Sequence, residues 1–368
     1  MSKVAPPFRA DHVGSLLRPP AIHVARGRWA RGEIDDAELR GIEDKAIAEM
    51  IPKLEATGIQ SITDGEFRRE WFHLDFLQQL DGVSVSGQIE SSSNSQETVH
   101  MTPPKISVTG KLRHGRTIQV DDFRYVAEHT DRTPKVAIPS PTMVHFRGGR
   151  GGIDIESYPD LDEFFDDLAQ CYRDEIGALY AAGCRYLQLD DTNLAYLCDP
   201  VMRQGAVDRG DDPDELPRTY AALINHALDE RPDDLTVGIH LCRGNFRSTH
   251  FASGSYEAVA EVLFNEIDVD AYFLEYDDER SGDFAPLRFF PGDKTLVLGI
   301  VTSKRAELED KDLLRARIDE AAEYVDLDRM CLSPQCGFSS TIHGNEITED
   351  DQWAKLRHVV EVAESVWN

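Results

Sequence analysis

The sequence has no long apolar segment and only a few cysteines. None of its uninterrupted apolar runs approaches the roughly 20 residues that a helix needs to cross a bilayer. The N-terminal stretch MSKVAPPFRADHVGS also lacks the apolar centre of a signal peptide. Six cysteines in 368 residues are too sparse for a disulfide scaffold. We therefore expect a soluble, cytoplasmic protein in which any functional cysteine is a ligand or a nucleophile.

Basic residues are scarce as well. The chain has 39 lysines and arginines against 67 acidic residues, which gives a formal net charge of −28. A field of that sign repels nucleic acids and anionic membranes, so we expect neither as a partner. The acidic excess is typical of a well-solvated surface and also of adaptation to a high-salt cytoplasm, and the composition is compatible with both.

Strand-like apolar runs alternate with helical patterns along the chain. In residues 162–182, apolar residues recur at spacings of three and four, and Gly183 is placed to end a helix. The strand-like runs are RADHVGSL, IQSITDGE, KVAIPSPT, CRYLQLDD, LTVGIHLC, DAYFLEYD, TLVLGIVT and RMCLSPQC. Eight alternations predict an α/β fold, a (β/α)8 TIM barrel built as a single domain over residues 1–368.

Residues 81–134 interrupt this repeat. They contain the polar stretch SGQIESSSNSQETVH, the alternating KISVTG and RTIQV, and little helical periodicity. This pattern predicts a β-hairpin insertion with a mobile tip, over or beside the mouth of the barrel. A substrate lid and a surface loop without a function are both compatible with it.

Polar residues gather at the carboxyl ends of the predicted strands. In a barrel these ends share one mouth, which is where active sites are built. The candidates are His12, Ser15, Asp64, Glu66, Ser140, Asp190, Asp191, His240, Cys242, Glu275, Thr302 and Cys336. Among them, His12 and Ser15 are candidate substrate-binding residues.

The motif GIHLCRGNF suggests a metal site. His240 and Cys242 lie two apart, so their side chains point the same way along an extended strand. Zinc accepts both ligand types and usually takes four ligands. Glu275 in FLEYD and Cys336 in SPQCGFSS reach the same mouth and complete a candidate set. A packed histidine beside a buried thiol would produce the same motif.

Two carboxylates are candidates for catalysis or substrate binding. Asp190 ends the run LQLDD, where its neighbour Asp191 could instead cap the next helix. Glu66 in TDGEFRRE could hold a ligand's ammonium group or pair with Arg68 or Arg69. Burying acids at strand ends is costly unless something pairs with them, which favours a function for Asp190 and Glu66.

As a set, these motifs resemble the cobalamin-independent methionine synthase family, in particular its catalytic C-terminal barrel and its short single-barrel members. The likeness runs through DHVGSLLRP, TDGEFRRE, YLQLDD, HLCRGNF, FLEYD and SPQCGFSS in the family's order. It implies Zn²⁺ bound by His240, Cys242, Glu275 and Cys336. It also implies a homocysteine pocket at Ser15, Glu66 and Asp190, whose acids receive the ammonium group.

The resemblance implies that zinc holds the thiol as a thiolate for attack on a methyl group, with Glu275 exchanging for the incoming thiol. A histidine that protonates the folate leaving group in the long synthases aligns with Thr302, and their folate-stacking tryptophan aligns with Phe146. The methyl donor is therefore open between a methylfolate and another donor such as a methylated corrinoid protein. A local basic patch for an anionic folate could come from Arg18, Arg68, Arg69, Arg147 and Arg150.

Two other functions stay open at this stage. Short relatives of the family include transferases that open an epoxide with coenzyme M, but a sulfonate would need cations where Glu66 and Asp190 offer carboxylates. A non-catalytic barrel that binds a thiol or a metal is the third alternative, although four costly ligands argue against it. The sequence is also compatible with a homo-oligomer.

Overall fold

The computed structural model describes residues 5–86 and 104–367. The strands are β1 (Ser61–Ile62), β2 (Asp81–Ser86), β3 (Lys105–Arg113), β4 (Thr133–Pro134), β5 (Val136–Pro139), β6 (Tyr186–Asp191), β7 (Thr236–Leu241), β8 (Ala271–Glu275), β9 (Thr295–Val301) and β10 (Met330–Pro334). The helices are α1 (Pro20–Ala30), α2 (Asp36–Ala56), α3 (Leu74–Leu77), α4 (Val120–Ala127), α5 (Leu161–Ala181), α6 (Asn193–Tyr196), α7 (Pro200–Asp208), α8 (Leu216–Leu228), α9 (Ala260–Asn265), α10 (Lys311–Ala321) and α11 (Glu349–Trp367).

Parallel strands form a barrel with eight positions. Strands β5 to β10 make one parallel sheet in chain order, and β4, which leads into β5, pairs in parallel with β1. The eighth position is the N-terminal segment, where Ala10 forms a parallel bridge with Leu332 of β10. Side chains link this segment to β1, since the Ser61 hydroxyl donates to Asp11 Oδ1 at 2.7 Å. The predicted (β/α)8 barrel is confirmed.

Helix α5 shows how the sequence pattern forms the outer layer. Its buried face carries Phe164, Leu168 and Tyr172, at the spacing of one side of a helix. The side chain of Asp160 accepts from the amide of Asp162 and caps the start. Gly183 follows the helix with φ of 107°, a left-handed conformation that glycine adopts at little cost. The predicted stop at Gly183 is confirmed.

Residues 81–134 contain more than a hairpin. Strands β2 and β3 pair antiparallel, and Val108 of β3 bridges to Ile153, so the hairpin lies along the outside of the barrel next to α5. The tip of the predicted hairpin, in the polar stretch SGQIESSSNSQETVH, lies almost entirely within residues 87–103, which are outside the described residues. The expectation of little helix was wrong for the second half, because α4 buries Val120, Phe123 and Val126. That interval then ends in β4, which belongs to the barrel.

The barrel interior is layered towards its carboxyl end. An apolar layer at the bottom consists of Tyr186, Ala271, Phe273, Val297 and Cys331. Residues two and four positions further along β6 are Gln188 and Asp190, and the register places Asp190 beside His240 of β7. The top layer is therefore polar and buried, which is where a site can form. No helix of the described residues is long and apolar enough to cross a membrane.

Candidate functional site

Four residues at the carboxyl ends of the barrel strands β7, β8 and β10 converge at the mouth. The potential ligand atoms of His240, Cys242, Glu275 and Cys336 all lie within 4.8 Å of one another, and all four residues are buried. The two sulfur atoms are 3.4 Å apart. The structure therefore brings together the nitrogen, the two sulfurs and the carboxylate oxygen that the sequence analysis placed on one rim.

The positions of these residues at the ends of their strands explain why their ligand atoms lie close together. His240 and Cys242 lie on the same side of the chain at the end of β7, and Glu275 is the last residue of β8. Beyond β7 the backbone turns, and the amide of Gly244 donates to the Cys242 sulfur at 3.3 Å. The amide of Arg243 donates to Glu275 Oε1 at 3.2 Å. Backbone donors thus stabilise negative charge on two of the four ligands.

The donor chemistry fits a zinc ion. Neither ring nitrogen of His240 has an oxygen or nitrogen hydrogen-bond partner in residues 5–86 and 104–367, although the ring is buried. Buried polar atoms without partners are costly, so such a ring is typical of a ligand. One imidazole, two thiolates and one carboxylate are ligand types that zinc accepts in a tetrahedral arrangement.

The local charges favour the ionised forms of two of the candidate ligands, Cys336 and Glu275. Hydrogen bonding from Cys242, together with the facing imidazole of His240, holds the pKa of Cys336 well below the usual range of a thiol. Burial alone would raise the pKa of Glu275, but the positive charges of Lys304 and Arg280 lower it to about 2. The hydrogen bond that Cys242 shares with Cys336, together with burial, raises the pKa of Cys242 well above its usual value. The cluster is thus anionic around neutral pH.

A pocket opens directly onto this cluster and encloses about 570 Å³ of empty space, its opening included. His240, Cys242 and Cys336 form its floor. Of the predicted substrate residues, Ser15, Glu66 and Asp190 line it. The remaining lining residues are Val13, Arg69, Trp71, Phe72, His73, Arg147, Thr192, Tyr196, Gly244, Asn245, Phe246, Phe251, Gly337, Ser340 and Thr341.

Ser15 lies against the turn that carries Cys336. Its hydroxyl oxygen accepts the amide of Ser339 at 3.2 Å, and a Cβ at Gly337 would lie 1.9 Å from that oxygen. Only glycine therefore fits beside Ser15. Asn245, from the motif GIHLCRGNF, also holds this turn, because its amide donates to the Gly337 carbonyl at 3.0 Å.

Glu66 adopts a left-handed backbone conformation with φ of 59°, which is uncommon for a residue other than glycine. Its amide donates to Asp64 Oδ1 at 2.8 Å, and Arg18 donates to its carbonyl at 2.7 Å. A Cβ at Gly14 would lie 2.6 Å from Glu66 Oε1, so the backbone approaches this carboxylate closely. Local strain of this kind is frequent at functional sites.

The carboxylate of Glu66 is already paired. Its Oε2 forms an ion pair with Arg69, whose guanidinium also lies 4.0 Å from Asp190 Oδ2. The other oxygen, Oε1, is buried and has no hydrogen-bond partner among the described residues. Of the two roles that the sequence allowed for Glu66, pairing with Arg69 is present, and one oxygen is left for a ligand.

Asp190 is buried beside His240 at the floor of the pocket. Its Oδ1 accepts a hydrogen bond from the Gln188 amide at 2.7 Å. Burial raises the pKa of Asp190, although the nearby His240 and Arg69 oppose that effect. The neighbouring Asp191 accepts the amide of Leu194 at 2.8 Å and so holds the turn into α6, the structural role that the sequence analysis considered for one of the pair.

His12 and Phe146 do not line the pocket. His12 is buried below it, where its Nε2–H donates to the Ser61 carbonyl at 3.0 Å. Phe146 packs against Tyr196 and Tyr220. Both candidate contacts with a substrate thus point into the protein interior instead of the pocket.

Thr302 is buried and does not line the pocket either; its amide donates to Glu309 at 2.8 Å. Among the five arginines considered for an anionic donor, Arg69 and Arg147 line the pocket. Arg18 instead binds backbone carbonyls, Arg150 donates to Tyr158, and Arg68 pairs with acids that include Asp44. The basic patch is therefore smaller than expected.

Sequence reasoning missed the aromatic wall of the pocket. Trp71, Phe72 and His73 follow TDGEFRRE directly, and Phe246 ends GIHLCRGNF. Because these residues adjoin motifs that were assigned to the mouth of the barrel, they could have been predicted to lie near the pocket. Burial, with Arg147 and Arg69 nearby, lowers the pKa of His73 well below its usual value, so this ring is neutral in the pocket.

Known proteins resemble this chain over most of its length. It is 48% identical to the uncharacterized protein YxjH of Bacillus subtilis, covering 98% of this chain and 95% of that protein. It is 26% identical to the methionine synthase of Pyrococcus abyssi over 83% and 79% of the two chains. A crystal structure from Listeria monocytogenes superimposes with a TM-score of 0.79, at 41% identity, over 100% of this chain and 99% of that one. Residues 8–365 match the family model "Cobalamin-independent synthase, Catalytic domain". The chain therefore belongs to the cobalamin-independent methionine synthase family.

Proposed function

We propose that this protein is a zinc-dependent methyltransferase that methylates homocysteine to methionine, with 5-methyltetrahydrofolate or another methyl donor such as a methylated corrinoid protein. The observation that carries the proposal is the buried set of His240, Cys242, Glu275 and Cys336, whose ligand atoms lie within 4.8 Å of one another beneath a pocket. Family membership supports a methyltransferase acting on homocysteine.

Zinc held by these four residues would lower the pKa of a bound thiol and keep it as a nucleophilic thiolate. The protein's own contribution is to hold and orient the amino acid. The free oxygen of Glu66 and the carboxylate of Asp190 would receive its ammonium group, and the Ser15 hydroxyl would lie beside its carboxylate. Arg69 stands between the two acids, so the three side chains together carry one net negative charge, which matches one ammonium group.

The part of the pocket that would face the methyl donor is apolar and contains one additional cation, Arg147. Trp71, Phe72 and Phe246 offer flat surfaces, and Arg147 makes no ion pair with a carboxylate of the described residues. Such a wall suits a donor that combines an apolar or aromatic body with negative charge. Thr302, which aligns with the proton-donating histidine of the long synthases, does not line the pocket, so methylfolate and a methylated corrinoid protein are both kept as candidate donors.

A sulfonate-bearing thiol is the second candidate substrate. The sequence argued against it because Glu66 and Asp190 offer carboxylates where a sulfonate would need cations. Arg69 is paired with Glu66 and Asp190, but Arg147 lines the pocket without a carboxylate partner among the described residues and could bind a sulfonate, so coenzyme M with an epoxide is compared directly.

The metal is tested first. Wild-type protein should contain close to one zinc per chain, and Cys336→Ser should lose it. Cys198→Ser is the matched control, because Cys198 is also buried but donates to the Leu194 carbonyl and lies outside the ligand set. Metal-free wild-type protein with a normal fold would refute the proposal.

The reaction is tested next. The zinc protein is incubated with homocysteine and either methylfolate, as mono- and triglutamate, or methylcobalamin, and the product is identified by mass. Coenzyme M with a simple epoxide is run in parallel. Methionine from any methyl donor supports the proposal, whereas alkylation of coenzyme M without methionine formation would replace it with the second candidate.

A further inference from the structure

The four candidate ligands are not equivalent in their surroundings. His240 has no oxygen or nitrogen partner among the described residues, and the two cysteine sulfurs contact each other. Of the four, Glu275 is the one that accepts a hydrogen bond from a charged side chain among the described residues, since Arg280 donates to its Oε2 at 3.1 Å. Its Oε1 accepts the amide of Arg243 at 3.2 Å. Both oxygens of this one ligand are therefore already bound by the protein.

Arg280 is built into the loop that follows Glu275. Its guanidinium is 5% exposed, and the Glu275 carboxylate is 1% exposed. The same Nη2 lies 2.5 Å from Asp277 Oδ1, and Nη1 pairs with Asp278. Two acids besides Glu275 thus hold the arginine in place. Buried charge pairs of this kind are held firmly because an unpaired charge there is costly.

The positive charge of Arg280, 3.1 Å from Glu275, has a predictable effect on the binding of a metal by this carboxylate. It attracts the carboxylate away from any cation on the other side, and it repels that cation. Groups behind a ligand are known to tune both its orientation and its basicity. The ligand atoms of Cys242, Cys336 and His240 accept no hydrogen bond from a cation among the described residues, whereas Glu275 accepts one from Arg280. Lys304 acts at longer range on both Glu275 and Cys242, so the direct contact with Arg280 is what distinguishes Glu275.

We propose that Arg280 is a positioning residue that makes Glu275 the exchangeable ligand of the site. It weakens the bond between this carboxylate and the metal, and it receives the carboxylate when the thiol of the substrate takes its place. In this exchange the S–H bond of the substrate thiol breaks and its proton leaves to solvent water, the thiolate takes the ligand position, and the displaced Glu275 carboxylate stays ionised beside Arg280. The inference rests on the proposed zinc-thiol function and names the residue that prepares the site for the thiol.

The test is the rate at which zinc is transferred from the protein to a chromogenic chelator. Arg280→Met removes the charge and keeps the chain length, and Arg280→Lys restores the charge. Arg288→Met is the control, since Arg288 pairs with Glu257 at the surface and is 44% exposed. We expect zinc transfer to slow about tenfold in Arg280→Met, because Glu275 is then free to hold the metal more tightly, and to stay near wild type in the other two variants.

The direction of the change separates this role from a structural one. Loss of a merely structural arginine would loosen the site and speed zinc release. An unchanged or faster transfer in Arg280→Met, with wild-type protein that binds zinc normally, would overturn this inference and leave the proposed function standing. Wild-type protein that takes up no zinc would overturn both.

A second variant guards against misfolding, because Arg280→Met leaves the buried Asp277 without its partner. The double variant Arg280→Met/Asp277→Asn removes that unpaired charge, and the same slowing is expected. In the variant that folds, calorimetric titration with homocysteine should show affinity reduced about tenfold, since Glu275 is harder to displace. Slower zinc transfer together with an unchanged affinity for homocysteine would refute the proposal that the substrate thiol replaces Glu275.

Discussion

The lowered pKa of His12, which is buried beneath the pocket, predicts how the stability of the protein depends on pH. The ring is buried, its Nε2–H donates to the Ser61 carbonyl at 3.0 Å, and Lys135 donates to the His12 carbonyl at 2.5 Å. Burial and the positive charge of Lys135 lower the pKa of His12 from 6.5 to about 4. His12→Gln keeps a side-chain amide that can donate to Ser61 and removes the ionisable group.

The magnitude follows from the difference between the folded and unfolded states. The unfolded chain binds a proton on this residue near pH 6.5, whereas the folded chain does so only near pH 4. The unfolded state therefore holds more protons between these values, and stability falls as the pH drops through this window. A difference of about 2.5 pKa values corresponds to about 3 kcal/mol in all, or up to about 1.4 kcal/mol per pH unit.

The assay is urea unfolding at several pH values between 7.5 and 4, with His12→Gln and the wild type side by side. The variant should lose less stability over this range than the wild type, by up to about 3 kcal/mol. His129→Gln changes an exposed histidine and should keep the wild-type slope. Equal slopes for His12→Gln and the wild type would refute the reasoning, and a selective loss of homocysteine affinity in His12→Gln would restore His12 as a substrate residue.

Three further predictions concern the site and its support. Gly337→Ala should destabilise the protein by about 1–3 kcal/mol, because the new Cβ overlaps the Ser15 hydroxyl, and Ser15→Gly in the same chain should recover part of the loss in a thermal melt. Asp190→Asn should weaken homocysteine binding by roughly tenfold to a hundredfold in calorimetry, since it removes a charge that receives the ammonium group, without loss of zinc; unchanged affinity would exclude Asp190 from the pocket's function. Lys135→Met should cost about 3–5 kcal/mol in urea unfolding, because it leaves the buried carboxylate of Asp11 unpaired, and the double variant with Asp11→Asn should be less destabilised than the single one.

Much of the fold could be predicted because its signals are local. The eight apolar runs and the helical spacing in α5 each report on one segment, and a run of strand, helix and strand admits few arrangements. The second half of residues 81–134 escaped prediction because α4 has only eight residues, about two turns, which is shorter than the window over which a helical period is recognised. Its helix is stabilised by packing of Phe123 and Val126 against the barrel.

The sequence predicted which residue types form the candidate site, but it did not predict which of their side chains contact each other. His240 and Cys242 are two apart on one strand, so their shared direction follows from strand geometry. Whether Glu66 meets a ligand or Arg69 depends on a left-handed turn that no periodicity reveals. Arg280 was missed because its meaning comes from the 3.1 Å contact with Glu275, not from its position in a motif.

The sequence by itself determined the barrel, the family and the positions where polar side chains end the strands, because alternation of apolar and polar residues is written residue by residue. Only the tertiary structure decided which of those side chains meet. It brought Cys336 within 3.4 Å of Cys242, although 94 residues separate them, and it turned His12 and Phe146 towards the interior. The physical reason is that a side chain's partners are chosen by the packing of distant segments, which local periodicity does not specify.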